Sequence, residues 1–360
     1  MKILLAAGGS GGHIYPGLSI IEAIEKIAPE TEFLWVGTYK GREKEVAQSK
    51  NISYVPVKAW SINNEGFIWK IQAFWFHGLM TLKLMAKMKR EKIDAVVTTG
   101  GYATASSLMA ATLLGIPIFM HEQNVYPGLG TRKFGKFAKR IFTSFPGTEE
   151  YLPGMKEKIS LLGNPIRDIF SHIDREEIRK KLDVTDKILV VSIGGSLGAQ
   201  SINGFIRSMI PTIENRKDLY WVHVVGMDYE EELKFYKDKK NMEAHLFLHD
   251  LPSYLVASDL LISRSGASTL TEISSLGRAS ILIPSSNVLD DHQMFNAKLF
   301  SDKKAAIIIE DSQLSTNMAQ DTLVDLLVNE EKRKELALRS KGIAPLDGAE
   351  NIALEILELL

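Results

Sequence analysis

Lys2 and Lys187 each open the same pattern: an apolar run, a glycine-rich loop, then a stretch of helical length. The first copy reads KILLAAGGSGG and the second KILVVSIGGSLG, with GGSGG at 8–12 and GGSLG at 194–198, 186 residues apart. That interval is about one doubly wound domain. A short, continuous apolar run suits a parallel strand covered on both faces. Glycine directly after it lets backbone N–H groups reach an anion at the start of the next helix. A duplication of this kind points first to an α/β protein of two domains, with one large α/β unit as the second expectation, and 360 residues, 45% hydrophobic and 24% charged, suffice to fill either.

Further apolar runs, EFLWVG, AVVTTGG, IPIFMHE and RIFTSF in the first half and YWVHVVG, AHLFLH, DLLISR, ASILIP and AAIIIE in the second, extend the alternation of strand and helix. The first domain is expected over 1–163, ending where a strand meets Gly163-Asn164-Pro165, and the second over 164–340. Residues 341–360 read as an amphipathic helix after a Pro/Gly break, free to pack back across the linker. The uncharged run 95–120 is long enough for a membrane crossing. Its internal TTGGY and IPIFM instead predict strand, buried helix and strand.

Several classes of function are excluded or weakened. There is no cysteine, so disulfides, thiolate catalysis and thiolate metal sites are absent, as suits a reducing compartment. Net charge is −1, but residues 1–163 hold 20 basic against 13 acidic side chains and residues 164–360 hold 23 against 31. The basic excess is modest and confined to the first half, which argues against a uniform nucleic-acid binder and leaves room for an anionic partner of that half. Neither loop is a Walker A sequence or a full G-x-G-x-x-G fingerprint. Both match the low-information G-x-S-x-G elbow, with Ser10 or Ser196 as nucleophile, which keeps a hydrolase as a minor alternative. His121-Glu122 lacks the H-E-x-x-H spacing and no Asp-x-Asp occurs, so no metal and no tightly bound cofactor is expected.

Ser196 suits a phosphate contact at a helix N-terminus, and His13, just past the first loop, suits a general base. An ordinary helix cap and a satisfied structural histidine are the plainer alternatives. Polar clusters end other strands on the same side: TTGGY, HEQN, SRSGASTLTE and NVLDDHQMFNA. Residues 60–90 carry three of the five tryptophans and end in Lys83, Lys87, Lys89 and Arg90. Aromatics beside cations suit an anionic lipid surface, a packed helix or an oligomer interface.

Taken together, GGSGGHIYPGL, GGYAT, HEQNVYPGLGTR, LLGNPIR, GGSLGAQSIN, SRSGASTLTEI and DDHQMFNA resemble, in order and over most of the chain, the MurG family of bacterial N-acetylglucosaminyltransferases. The resemblance implies a GT-B glycosyltransferase architecture, two Rossmann-like domains facing a cleft. It implies inverting transfer of N-acetylglucosamine from UDP-N-acetylglucosamine to the C4 hydroxyl of a lipid-linked muramyl-pentapeptide. The donor set it implies is Ser10, Gly11, Gly12, Asn124, Arg167, Ser196, Gly198, Ala199, Gln200, Arg264, Ser265, Gly266, Glu272, His292 and Gln293. Glu272 would meet the ribose hydroxyls. Gly100, Gly101, Tyr102 and His121 would meet the acceptor, with His13 as base and Glu122 in reserve or orienting the acceptor. Phe67, Trp69, Phe74, Trp75, Lys83 and Lys87 would contact an anionic membrane at its cytoplasmic face, with cell-wall synthesis proteins as further partners. Arg132 departs from the asparagine frequent in relatives. A GT-B enzyme with another lipid acceptor, a UDP-N-acetylglucosamine 2-epimerase and a membrane-bound scaffold are the alternatives.

Overall fold

The computed structural model describes residues 1–39, 41–58, 67–101, 104–165, 170, 173–195 and 197–360, with the side chains of 67–74 outside the description. Tyr102, Arg167 and Ser196, and the side chains of Phe67, Trp69 and Phe74, therefore lie outside the described residues. The chain forms two units, Met1–Arg167 with Pro345–Leu360, and Asp168–Ala344. The two crossings fall four residues beyond the divisions expected at 163 and 340.

The first unit runs β1 (Lys2–Ala7), α1 (Gly11–Ile27), β2 (Glu32–Thr38), α2 (Glu43–Ser49), β3 (Ser53–Val57), α3 (Phe67–Glu91), β4 (Ala95–Gly100), α4 (Thr104–Leu114), β5 (Ile118–Glu122), α5 (Leu129–Phe134), β6 (Arg140–Thr143) and β7 (Ile159–Leu161). Its strands form one parallel sheet in the order β3-β2-β1-β4-β5-β6-β7. The continuous apolar runs are explained by burial on both faces: Ile3 and Leu5 join one core with α1, while Leu4 and Ala6 join another beneath α3 and α4. The uncharged run 95–120 contains β4, α4 and β5.

The second unit repeats the scheme with α6 (Arg175–Lys181), β8 (Ile188–Ile193), α7 (Gln200–Ile213), β9 (Leu219–Val224), β10 (Met242–His245), α8 (Leu251–Ala257), β11 (Leu260–Ser263), α9 (Ala267–Leu276), β12 (Ala279–Leu282), α10 (His292–Asp302), β13 (Ile307–Ile308), α11 (Asn317–Val328) and α12 (Glu330–Ser340). Its parallel sheet has the order β10-β9-β8-β11-β12-β13. In both sheets the order reverses beside the first strand, between β1 and β4 and between β8 and β11. Ligands of doubly wound domains bind beyond the strand C-termini at such a reversal.

The last helix, α13 (Gly348–Leu359), belongs to the first unit. Ile352, Ala353 and Ile356 bury their side chains against Ile20 and Ile24 of α1, and Glu355 pairs with Arg140 at 2.6 Å. The chain returns so closely that a β-carbon on Gly163, at φ +91°, would stand 2.3 Å from the Pro345 carbonyl oxygen. Gly154 has a similar φ of +75° with open space around it. Gly163→Ala is therefore expected to cost about 2 kcal/mol more than Gly154→Ala, measured by urea unfolding; equal losses would show that the return crossing is slack.

Candidate active site

In the first unit the site begins with an irregularity in β4. Ala6 pairs with Thr98 and Ala7 with Gly100, so Thr99 is an extra residue in the ladder. Such a bulge re-aims the backbone at that point. The Thr99 carbonyl takes His13 Nδ1 at 2.7 Å and Gln123 Nε2 at 2.6 Å, while Thr99 Oγ1 donates to the His13 carbonyl at 2.6 Å. A carbonyl only accepts, so His13 carries its proton on Nδ1. In the neutral ring the lone pair then lies on Nε2.

Two glycines follow the bulge at positive φ. A β-carbon on Gly101 would meet the Gly8 carbonyl oxygen at 2.0 Å, and one on Gly100 would crowd His13 Cε1 at 3.0 Å. The loop after β1 thus lies directly on the loop after β4. Ser10 caps α1 by position only: its backbone is extended and its hydroxyl makes no cap hydrogen bond. Ser10, Gly11 and Gly12 are exposed, and the first turn of α1 holds no acidic side chain. That leaves helix N–H groups and the positive end of the dipole open to an anion.

Glu43, fully buried and not anticipated from the sequence, supports this loop from behind. Its Oε1 accepts from Thr38 N at 2.7 Å and Thr38 Oγ1 at 2.6 Å, and a β-carbon on Gly8 would lie 2.5 Å from it.

Two of the expected site residues are engaged within the fold. Glu122 is buried, and its carboxylate accepts from Asn124 N at 3.1 Å, Gly128 N at 2.9 Å and Thr131 Oγ1 at 2.6 Å. With three hydrogen bonds accepted, it shapes the 124–131 loop. His121 is only 2% exposed, set against Gly163 O at 3.3 Å and Ser144 Oγ at 3.2 Å, and does not present its ring to a ligand. Arg132 spends its guanidinium within this corner, on the Tyr126 hydroxyl at 3.0 Å and over its ring.

In the second unit the loop after β8 is closed on the β9 side at Gly198. A β-carbon on Gly198, at φ +87°, would meet Val225 O at 2.1 Å. Ala199 and Gly266, the residues capping α7 and α9, offer no side-chain cap, so both helices begin with open N–H groups. Gln200 opens α7. Ser265 is buried, donating to Gln293 O at 2.7 Å and accepting from Asn296 Nδ2 through its carbonyl at 3.1 Å. Gln293 Oε1 accepts from Ser285 N at 2.9 Å, and His292 Nδ1 lies 2.8 Å from Leu289 O at the start of α10. Asp290 and Asp291, just before it, are both left-handed, at φ 55° and 50°.

Glu272, on the second turn of α9, has no hydrogen-bond or ion-pair partner among the described residues, and burial pushes its carboxyl up to about 7. The Arg264 guanidinium is engaged within the fold. Its Nη1 donates to Asp311 at 2.8 Å and to Ile283 O at 3.1 Å, and its Nη2 to Ser201 Oγ at 3.0 Å, while that hydroxyl donates to Asp311 at 2.7 Å. It is a brace joining the end of β11 to α7 and to the segment after β13. Asp311 and Ser201 carry no sequence signal of this role, whereas the Gly226 that receives Gly198 stands visibly at a strand end in YWVHVVG. Among the described residues no three His, Asp or Glu side chains are gathered to hold an ion.

Residues 3–143 match the N-terminal domain of glycosyltransferase family 28 and residues 188–352 its C-terminal domain. The UDP-N-acetylglucosamine–N-acetylmuramyl-(pentapeptide) pyrophosphoryl-undecaprenol N-acetylglucosamine transferase of Bacillus subtilis is 32% identical over 100% of this chain and 99% of its own. The chain belongs to the MurG family. The crystal structure of Acinetobacter baumannii MurG is similar with a TM-score of 0.78, at 26% identity over 99% of both chains. A UDP-N-acetylglucosamine 2-epimerase from Neisseria meningitidis covers 100% of both chains at TM-score 0.66 but 13% identity, a likeness of fold alone. The MurG family assignment makes the architecture GT-B and the protein a glycosyltransferase.

Burial holds the His121 imidazole neutral, pushing its pKa from 6.5 down to about 3, with nearby His13 adding to the effect. The unfolded chain takes up this proton below 6.5 and the folded chain does not, so the stability it contributes above 6.5 is lost as pH falls toward 3. His121→Gln should flatten that part of the stability–pH curve in urea titrations; an unchanged slope would remove His121 as its source.

Proposed function

We propose that the protein transfers N-acetylglucosamine from UDP-N-acetylglucosamine to the C4 hydroxyl of undecaprenyl-pyrophosphoryl-N-acetylmuramyl-pentapeptide, with inversion, in peptidoglycan synthesis. The observation carrying this reading is full-length similarity, above 30% identity, to transferases named for that reaction. His13 Nε2 takes the acceptor proton as the hydroxyl oxygen attacks the anomeric carbon and UDP leaves. The Thr99 carbonyl holds the ring in the tautomer that needs a base at Nε2. Helix N-termini of α7 and α9 and the 194–199 loop stabilise the departing diphosphate. Ser196 and Arg167 join that donor set, as the family resemblance implies. Product analysis with labelled donor and the lipid acceptor should give a β1→4 disaccharide. Retention, or donor isomerisation without transfer, would overturn the reading. His13→Asn should slow single-turnover transfer about 100-fold or more while leaving donor affinity intact.

Glu272 accepts the ribose hydroxyls in this scheme, and only its ionised form does so well. With burial pushing its carboxyl up to about 7, UDP-N-acetylglucosamine affinity should fall as pH drops below 7, by up to about tenfold per unit. Calorimetric titrations across pH check this. Glu272→Gln should bind weakly and without that dependence, and a variant keeping the wild-type pH profile would exclude Glu272.

Membrane attachment is supported by one face of α3. Trp75, Leu79 and Leu82 are 68%, 59% and 62% exposed, at a spacing that aligns them on one stripe. Lys83, Lys89 and Arg90 are exposed beside it, and Leu113 of the adjoining α4 is exposed as well. Lys87 is partly withdrawn, paired with Glu91 at 2.7 Å. No described helix is long and apolar enough to cross a membrane, so insertion of this stripe into an anionic leaflet supplies the hold. Trp75→Ser with Leu79→Ser should weaken co-sedimentation with phosphatidylglycerol vesicles by more than about tenfold; unchanged sedimentation would place the contact elsewhere.

A further inference from the structure

The second unit has a cavity of about 310 Å³ between the start of β12, the end of α9 and the first turn of α12. It opens at the N-terminal end of the strands, where Asp259 precedes β11 and Arg278 precedes β12, opposite the end that carries the loop 194–199 and Glu272. Nothing in the transfer reaction uses it.

Six charged side chains line it: Arg175, Asp259, Arg278, Glu330, Arg333 and Lys334. Both carboxylates are already occupied. Asp259 takes Arg175 at 2.6 Å, Arg179 at 3.0 Å and the Leu189 N–H at 2.8 Å, and Glu330 takes Lys334 at 2.8 Å. Glu176 and Glu331, the other acids in reach, are 67% and 87% exposed, so solvent screens them. Among the described residues neither Arg278 nor Arg333 makes a direct ion pair, although Asp259 and Glu330 lie near enough to act on them through charge. Arg278 bonds the Leu255 and Val256 carbonyls, and Arg333 bonds the Leu326 carbonyl at 2.6 Å. These bonds cap the ends of α8 and α11, yet they leave donors on both guanidiniums unused. Arg175 Nε is buried with no acceptor among the described residues. The N-terminal turn of α12 adds its dipole to the same space. Burial first, and then the neighbouring Arg175, pull the Arg278 pKa down to about 10, against the opposite pull of Asp259.

We propose that this cavity is a second ligand site, for a small molecule bearing a phosphate or diphosphate group. Guanidinium forks match phosphoryl oxygens in pairs. The Ala279 and Ala337 walls leave room for the uncharged remainder of the ligand.

Inorganic pyrophosphate is the probe, titrated calorimetrically into the full-length protein, with hydrogen exchange followed over 275–280 and 330–337. Saturable binding that slows exchange in both segments is expected. Arg333→Gln and Lys334→Gln should each weaken it about tenfold while UDP affinity stays the same. Lys334 is solvent-exposed, so its variant keeps the test valid if Arg333→Gln is poorly folded. Phosphatidylglycerol vesicles distinguish the sources of the group: loss of vesicle binding in Lys334→Gln assigns a lipid headgroup, and loss of pyrophosphate binding alone a soluble ligand. Absent protection in both segments, or affinity indifferent to both substitutions, would leave these cations as helix caps and overturn the proposal.

Discussion

One surplus residue in a β-strand organises the first unit. Thr99 has no partner in the β1–β4 ladder, and its carbonyl turns out of the sheet onto His13. The arrangement is tolerated because the next two residues are glycine, both at positive φ, and the second lies against Gly8. Bulge, glycine pair and histidine tautomer are thus one constraint. A side chain at 101 would separate the two loops, and separation would release the Thr99 carbonyl from the imidazole.

The second unit uses the same close glycine contact to a different end. There the close glycine contact joins the loops after β8 and β9, on the side away from the reversal in strand order. The β11 side is held by polar chemistry, the Arg264–Ser201–Asp311 brace, with Glu272 left unpaired nearby in sequence. A backbone contact fixes the loop and a side-chain fork fixes its neighbour, which leaves the open helix starts of α7 and α9 facing the ligand end of the sheet. An unpaired carboxylate with a raised pKa is costly to keep, and donor hydroxyls would repay it.

Much of this was legible from residue order. Continuous runs such as KILLAA and ILVVSI are read as parallel strands because burial on both faces removes the alternation seen in half-exposed strands. The paired loops announced themselves because glycine is required where backbones touch. What the residues concealed was which polar groups are already engaged. Arg264, Glu122 and His121 look like ligand contacts by type and neighbourhood. Their hydrogen bonds go to Asp311, Thr131 and Ser144, fixed by how distant segments pack. Glu43 was missed for the same reason, since its role depends on meeting Gly8 across two strands. Gly163 packs against Pro345, a contact between the two crossings that no local pattern displays.

The tautomer of His13 is the most direct test of how the fold prepares the reaction. Nitrogen-15 NMR of the imidazole in the ligand-free protein at neutral to alkaline pH should show a protonated, pyrrole-type Nδ1 and a bare, pyridine-type Nε2. A proton resident on Nε2 would mean that the Thr99 carbonyl does not set the ring, and the role assigned to the bulge would be wrong.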